Sequence, residues 1–281
     1  LQDLHDEIRV NVQRALQEDI GSGDLTASLI PVGKVLQATV VSRENAVVCG
    51  TQWFEACFRS PDPASVVEWY AKDGDGVQAG QELCKIRGNA RALLTAERSA
   101  LNFLQLLSAV ATQTRRFADA IAGTGAVIVD TRKTLPGLRL AQKYAVMCGG
   151  GVNHRIGLYD GVLIKENHII AAGGIQFALM KAMAIAPPDV FVQIEVENLQ
   201  ELREALAAGA RMVLLDNFTF AQLSEAVAFT RLQADAPVIL EASGNITLDN
   251  VRQVAETGVD RISIGSLTKN IQAVDLSMRF V

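Results

Sequence analysis

An aspartate, two adjacent cations and a further arginine follow the apolar run Ala126–Val129 in the stretch DTRKTLPGLR, Asp130 to Arg139. Charges directly behind a buried strand are costly to hold unless a group of opposite charge meets them, and a solvated loop needs no such strand in front of it. The arrangement calls for an anion. From Asp130 to Glu166 there are six cations (Arg132, Lys133, Arg139, Lys143, Arg155, Lys165) and three acids (Asp130, Asp160, Glu166), a net of +3 inside a chain of 31 acidic and 26 basic residues with net charge -5. A local positive island in an acidic chain excludes a general nucleic-acid surface or a polybasic membrane anchor and fits a small anionic ligand.

Other residues could share that chemistry. Glu195 and Asp216 end two further apolar runs; facing each other, they could hold Mg²⁺ through water or support a positively charged sugar carbon as its leaving group departs. Pairing of each with a local cation such as Arg132 or Lys165 remains an alternative. His154 and Arg155 follow the glycine run in GGGVNHR, and Lys165 and His168 sit in LIKENHI. Guanidinium forks suit planar carboxylates, whereas lysine serves phosphate as a point charge. His154 reads as a ligand contact; His168 reads equally well as a structural residue of its loop. In EASGNIT and SIGSLT, Ser243, Gly244 and Gly265 are small enough for backbone N–H groups to approach a phosphate, with the dipole of a helix following Thr247 in support. Three histidines, His5, His154 and His168, are too dispersed for a transition-metal site, and Cys49, Cys57, Cys84 and Cys148 form no C-x-x-C, so neither a zinc knuckle nor a disulfide framework is expected.

These residues need a scaffold that gathers strand ends. From residue 126 onward, short β-branched runs alternate with helical stretches: Ala126–Asp130, Val162–Lys165, Val190–Val196, Arg211–Asp216, Val238–Ala242 and Arg261–Gly265 as strands, with Gly174–Ile185, Leu199–Ala208, Phe220–Leu232 and Leu248–Thr257 between them. No G-x-G-x-x-G follows any of the strands, so an open (β/α) barrel with fewer than eight strands fits better than a dinucleotide fold. Its chemistry gathers at the C-terminal strand edge, and the six strands end in turn with Asp130, Arg132 and Lys133, with Lys165, with Glu195, with Asp216, with Glu241, Ser243 and Gly244, and with Gly265 and Ser266. The first third differs. An amphipathic helix at Ile8–Glu18 precedes antiparallel strands at Gln37–Val48, Val66–Lys72 and Gln81–Arg87, and a long helix over about 96–122 leads onward. The stretch KDGDGVQAGQELCKI is similar to a biotinyl or lipoyl carrier hairpin but lacks a modifiable lysine at the tip, and reads as scaffold. With 49% hydrophobic residues the chain can fill a core in one large or two medium domains. No long apolar span or signal pattern is evident, so a cytoplasmic protein without a membrane partner is expected.

The run from DTRKTLPGLR through KYAVMCGGGVNHRIGLYDGVLIKENHI, together with AERSALN, IEVEN, LLDNF, EASGN and GVDRISIGSLTK, closely resembles the quinolinate phosphoribosyltransferases over nearly the whole chain. That resemblance implies an N-terminal α/β sandwich, residues 1–110 joined by the tail 268–281, and an open barrel, residues 111–267, carrying the site. It implies a homodimer with shared active sites, in which Arg98 of AERSALN reaches into the partner's pocket. It further implies that Arg132, His154, Arg155, Lys165 and Arg98 hold the carboxylates of quinolinate, and that Lys133 reaches phosphoribosyl pyrophosphate. Glu195 and Asp216 would flank the ribose with Mg²⁺, and Ser243, Gly244 and Gly265 would cradle the 5′-phosphate. Arg139 falls at the pocket edge or behind it. The implied reaction is phosphoribosyl transfer to quinolinate with decarboxylation, giving nicotinate mononucleotide for NAD synthesis. A related transferase acting on another acid would lose part of the carboxylate-binding set; a ligand sensor without turnover would have little use for both Glu195 and Asp216.

Overall fold

The computed structural model describes residues 2–233 and 236–280. The first half of the chain runs through α1 (Gln2–Ile20), β1 (Val35–Ser42), β2 (Ala46–Val47), α2 (Thr51–Arg59), β3 (Val66–Trp69), β4 (Gly76–Val77), β5 (Glu82–Asn89) and α3 (Ala90–Ala120). There follow β6 (Val127–Val129), α4 (Arg139–Cys148), β7 (Gly161–Ile164), α5 (Glu166–Ala172), α6 (Ile175–Ile185), β8 (Phe191–Val196) and α7 (Leu199–Ala207). The last are β9 (Met212–Asp216), α8 (Phe220–Gln233), β10 (Ile239–Ser243), α9 (Val251–Glu256), β11 (Arg261–Ser263), α10 (Ser266–Lys269) and β12 (Leu276–Phe280). Two compact units form: residues up to 115 with 134–150 and from 266 on, and residues 116–133 with 151–265. The stretch 134–150, inside the range read as barrel, clusters with the first unit.

In the first unit a four-stranded antiparallel sheet has the order β12-β1-β5-β3, so the C-terminal tail supplies an edge strand. Along β1 burial alternates, with Ala38 and Val40 inside, and the helices cover that face. Ile8, Val12 and Leu16 recur every four residues as one stripe of α1, and Trp53, Phe54, Cys57 and Phe58 bury the inner face of α2. Each such aromatic, fully withdrawn from water, contributes about 1.5–3 kcal/mol. Trp53 keeps its polar end satisfied by donating from Nε1 to Asn11 Oδ1 at 3.1 Å.

Of the boundaries that depart from the sequence reading, such as α1 beginning at Gln2 rather than Ile8 and β3 ending at Trp69 rather than Lys72, two have clear local reasons. The expected strand Gln37–Val48 breaks after Ser42, whose hydroxyl donates to Glu44 O at 2.6 Å, and Ala46–Val47 pairs instead with β4. The long helix starts at Ala90 rather than near 96, because the Asn89 side chain accepts from the N–H groups of Arg91 and Ala92 at 3.0 and 3.3 Å and caps it directly behind β5.

The second unit holds six parallel strands in the order β6-β11-β10-β9-β8-β7, and all six expected strands are present within two residues. Consecutive strands are neighbours from β7 to β11, and β6, first in sequence, closes onto β11. Among the described residues β6 and β7 do not pair, and β6 is bridged instead by Val129 to Val152 in the segment ahead of β7, so the barrel is open there. Helices α5 and α6 meet at 95° across Gly173 and Gly174, whose φ angles of 91° and 127° only glycine adopts readily. No single helix among the described residues is long and apolar enough to cross a membrane.

Candidate active site

Side chains alternate across a strand, so every second residue points to one face. Counting by twos gives Leu163 and Lys165 on and after β7, Gln193 and Glu195 on β8, and Leu214 and Asp216 on β9. The same count gives Glu241 and Ser243 on β10, then Arg261, Ser263 and Gly265 on and after β11. The register aligns Glu195 and Glu241 with Leu214, Ser243 with Asp216, and Gln193 with Leu163. A pocket of about 250 Å³ opens on this face, lined by Thr131, Arg132, Lys133, His154, Arg155, Leu163, Lys165, Glu195, Leu214, Glu241, Ser243 and Ser263. Seven of the residues singled out from the sequence therefore share one cavity.

The cationic wall comes from the two strands beside the open seam. Arg155 is buried, its Nη1 donating to Gly161 O at 2.8 Å, and its pKa is held below the ordinary arginine value by burial and then by the Arg132 guanidinium. Two guanidinium groups that repel each other form a receptor for an anion. The loop behind them is fixed by Asp160, which accepts from the N–H groups of Ile156 and Gly157 at 2.7 and 2.8 Å. Lys133 lies against the end of β11: a Cβ at Gly265 would sit 2.9 Å from its Cδ. Glycine at 265 is what lets this lysine pass.

Carboxylates lie beside these cations. Glu195 is ion-paired with Lys165, the local pairing left open in the sequence reading. The Asp216 carboxyl is pushed above the ordinary aspartate value, first by burial and then by Glu195, against the opposing pull of Lys165, Lys133 and the Ser243 hydroxyl. Two mutually repelling carboxylates are hard oxygen donors suited to a magnesium ion. Farther out, Glu197 is raised chiefly by Glu166, so this rim is acidic where the other is basic.

Beneath the pocket lies a relay the sequence reading did not assign. His154 Nδ1 accepts from the Arg155 N–H at 2.7 Å, so the ring proton belongs on Nε2, which meets Gln193 Oε1 at 2.7 Å. Gln193 Nε2 then donates to Glu241 Oε2 at 3.2 Å, and Arg261 Nε stands 3.0 Å from that same oxygen. Asp130 anchors the other side by accepting from the His154 N–H at 2.8 Å. Gln193, Glu241 and Asp130 have no exposed surface. His154 thus lines the pocket with both ring nitrogens engaged by the protein. His168 is structural in its contact, its Nδ1 accepting from the Lys165 N–H at 3.0 Å. Glu241 already stands among the polar strand ends read from the sequence, and the alternation rule finds Gln193 as well, two residues before Glu195.

Asn217 and Asn245 shape the turns after β9 and β10 from left-handed backbone, at φ 56° and 50°. Asn217 donates to Asp216 Oδ2 at 2.8 Å, and its backbone N–H to Ser243 O at 2.9 Å. Gly244, at φ 101°, packs so closely that a Cβ would collide with the Asn217 side chain. Helix α9 begins at Val251, with Thr247 N–H held by Asn250 Oδ1 at 2.8 Å, so a turn separates Thr247 from the helix. Arg98 is exposed on α3 and Arg139 contacts Thr134 Oγ1 at 3.1 Å; both belong to the first unit.

The chain is similar to known proteins over nearly its whole length. The nicotinate-nucleotide pyrophosphorylase [carboxylating] of Mycobacterium leprae is 41% identical over 280 residues, covering 97% of each chain. The quinolinate phosphoribosyltransferase [decarboxylating] 2, mitochondrial, of Nicotiana glauca is 39% identical over 293 residues, 97% of this chain and 82% of that one. The solved nicotinate-nucleotide pyrophosphorylase of Francisella tularensis superposes with a TM-score of 0.93 at 44% identity, covering 98% of this chain and 96% of that one. The sequence models of the quinolinate phosphoribosyl transferase N-terminal and C-terminal domains match residues 24–108 and 110–279, and the chain belongs to that family.

Proposed function

We propose that this protein transfers the phosphoribosyl group of phosphoribosyl pyrophosphate to quinolinate and releases nicotinate mononucleotide, pyrophosphate and CO₂, a step of NAD biosynthesis. The observation that carries the reading is the pocket in which Arg132, Arg155, Lys133 and Lys165 meet Glu195, with Asp216 close enough to be acted on by Glu195, Lys165 and Lys133. Both substrates are polyanions, and bringing them together without countercharge is unfavourable. Arg132 and Arg155 take the quinolinate carboxylates, Arg132 as the bidentate fork, with Lys165 beside them and the His154 ring as an oriented wall. Lys133 reaches the phosphoribosyl substrate, and Ser243, Gly244 and Gly265 receive its 5′-phosphate.

Pyrophosphate leaves C1 of the ribose as the pyridine nitrogen forms its bond there. Glu195 and Asp216 stabilise positive charge on the ribose as it develops. The quaternised ring then loses its 2-carboxylate as CO₂, since the electron pair left on C2 lies beside a positive nitrogen, and C2 takes up a proton. Glu195 and Asp216 would also hold Mg²⁺, which supplies countercharge for the pyrophosphate when bound. No covalent enzyme intermediate is required; positioning and preorganised charge supply the catalysis.

The same proposal makes the protein a cytoplasmic homodimer with shared sites, Arg98 of one subunit serving the other. The exposure of Arg98 on α3 supports that role. Purified protein with Mg²⁺ and phosphoribosyl pyrophosphate, offered quinolinate or nicotinate in parallel, tests the activity. Equal release of pyrophosphate and CO₂ with quinolinate alone is expected; folded protein that releases neither with either acid would defeat the reading.

A further inference from the structure

Cys49, Asp73 and Cys148 come from three distant segments of the first unit, and none belongs to the pocket described above. The fold nevertheless brings one ligand atom from each within 4.8 Å of the others. Cys49 is fully buried, while Asp73 and Cys148 are half-buried. The two sulfurs lie within 4.8 Å of each other. We propose that Cys49, Cys148 and Asp73 form a binding site for a thiophilic divalent cation of the zinc class.

The donor set selects the ion. Two sulfurs and one carboxylate suit zinc, whose sites are built from thiolate, imidazole and carboxylate, and do not suit magnesium, which prefers oxygen throughout. Three protein ligands at a half-buried position leave a fourth position for water.

Each ligand is held by contacts of its own. The Cys49 backbone is fixed by Ser108, whose Oγ accepts from Cys49 N–H at 3.0 Å and approaches Cys49 O at 3.2 Å. Asp73 is oriented from both sides, Oδ1 accepting from Thr51 N–H at 3.1 Å and Oδ2 from the Tyr144 hydroxyl at 2.8 Å. Such outer hydrogen bonds are what a ligating carboxylate needs. The loops carrying Cys49 and Asp73 are tied by Gly74 N–H to Val48 O at 2.8 Å and Val48 N–H to Asp75 O at 2.9 Å. Arg115 holds the end of α4 through Gly149 O at 3.1 Å and Cys148 O at 3.4 Å. The site is therefore ordered before any ion arrives, and binding does not have to order it.

The test uses the full chain, freshly reduced and freed of metal with a chelator, titrated with Co²⁺ as a spectroscopic substitute and then with Zn²⁺. One equivalent of Co²⁺ should give thiolate-to-metal charge-transfer absorption, which Zn²⁺ removes. Because Cys49→Ser alters a fully buried position and can prevent folding, Cys148→Ser and the near-isosteric Asp73→Asn carry the argument, with thermal melting confirming that each folds. Cys148→Ser should change the charge-transfer band and weaken binding strongly, and Tyr144→Phe should weaken it roughly 10–100-fold, the usual effect of losing an outer partner. Absence of the thiolate band in the parent protein, or an unaltered band and affinity in folded Cys148→Ser, overturns the site. So does reduced protein that takes up no metal yet loses two hydrogens by mass in air, with Cys49 and Cys148 linked; that result makes the pair a redox couple instead.

Discussion

In the proposed reaction Arg132 holds quinolinate and Glu195 supports charge on the ribose, and truncating each has a different kinetic signature. Arg132→Ala removes a charge-assisted fork worth about 1.5–3 kcal/mol, so the KM for quinolinate should rise roughly 10–100-fold while the KM for phosphoribosyl pyrophosphate holds. Glu195→Ala acts on charge that appears only as the bond to pyrophosphate breaks; kcat should fall about 10²–10³-fold with modest change in either KM. Steady-state kinetics of the two variants separates the roles, and equal effects on kcat and KM in both would dissolve the assignment. Asp216 offers a test without substrate. Its pKa is raised in the fold, mainly by burial and Glu195, so ionisation disfavours the folded state: its contribution is favourable below the unfolded aspartate value and is lost as pH rises through the folded one. Asp216→Asn should therefore melt higher than the parent at neutral pH, with the gain vanishing under acid conditions, even as activity falls. A lower melting temperature at neutral pH would show that the carboxylate is net stabilising.

At the scale of elements, the ends of β9 and β10 decide how the turn proposed to receive the 5′-phosphate is built. Gly244 at φ 101° lies against Asn217, whose own left-handed backbone holds Asp216. Gly244→Ala should destabilise the fold by about 1–3 kcal/mol through backbone strain, and raise the KM for phosphoribosyl pyrophosphate more than that for quinolinate. Chemical denaturation with paired kinetics checks it; unchanged stability would mean the turn relaxes freely. The six barrel strands were legible because β-branched runs and polar strand ends are local signals. The start of α3 was not, since Asn89 both finishes β5 and caps the helix, leaving no loop to mark the boundary. Likewise α9 starts late because Asn250 holds a turn after Thr247, a side-chain choice that periodicity does not report.

For the whole molecule the testable question is whether the site is complete in one chain. Arg98 and Lys133 belong to different units of the same chain, and the proposed homodimer uses Arg98 in trans. An Arg98→Glu variant mixed with a Lys133→Ala variant after subunit exchange should recover activity, up to about one quarter of parental sites per dimer by random assortment. Stable mixed dimers, verified by mass, that stay inactive would argue that Arg98 serves its own subunit.

The sequence by itself determined the parallel strands, the polarity of their ends and hence the identity of most pocket-lining residues, because side-chain alternation and hydrophobic period are fixed by the backbone over a few residues. It also located the positive island from Asp130 to Lys165. Only the tertiary structure decided which groups engage one another: the Lys165 and Glu195 pair, the His154, Gln193 and Glu241 relay, and the meeting of Cys49, Asp73 and Cys148. Each of these depends on register between strands or on the approach of segments far apart in the chain, and no local period records such distances.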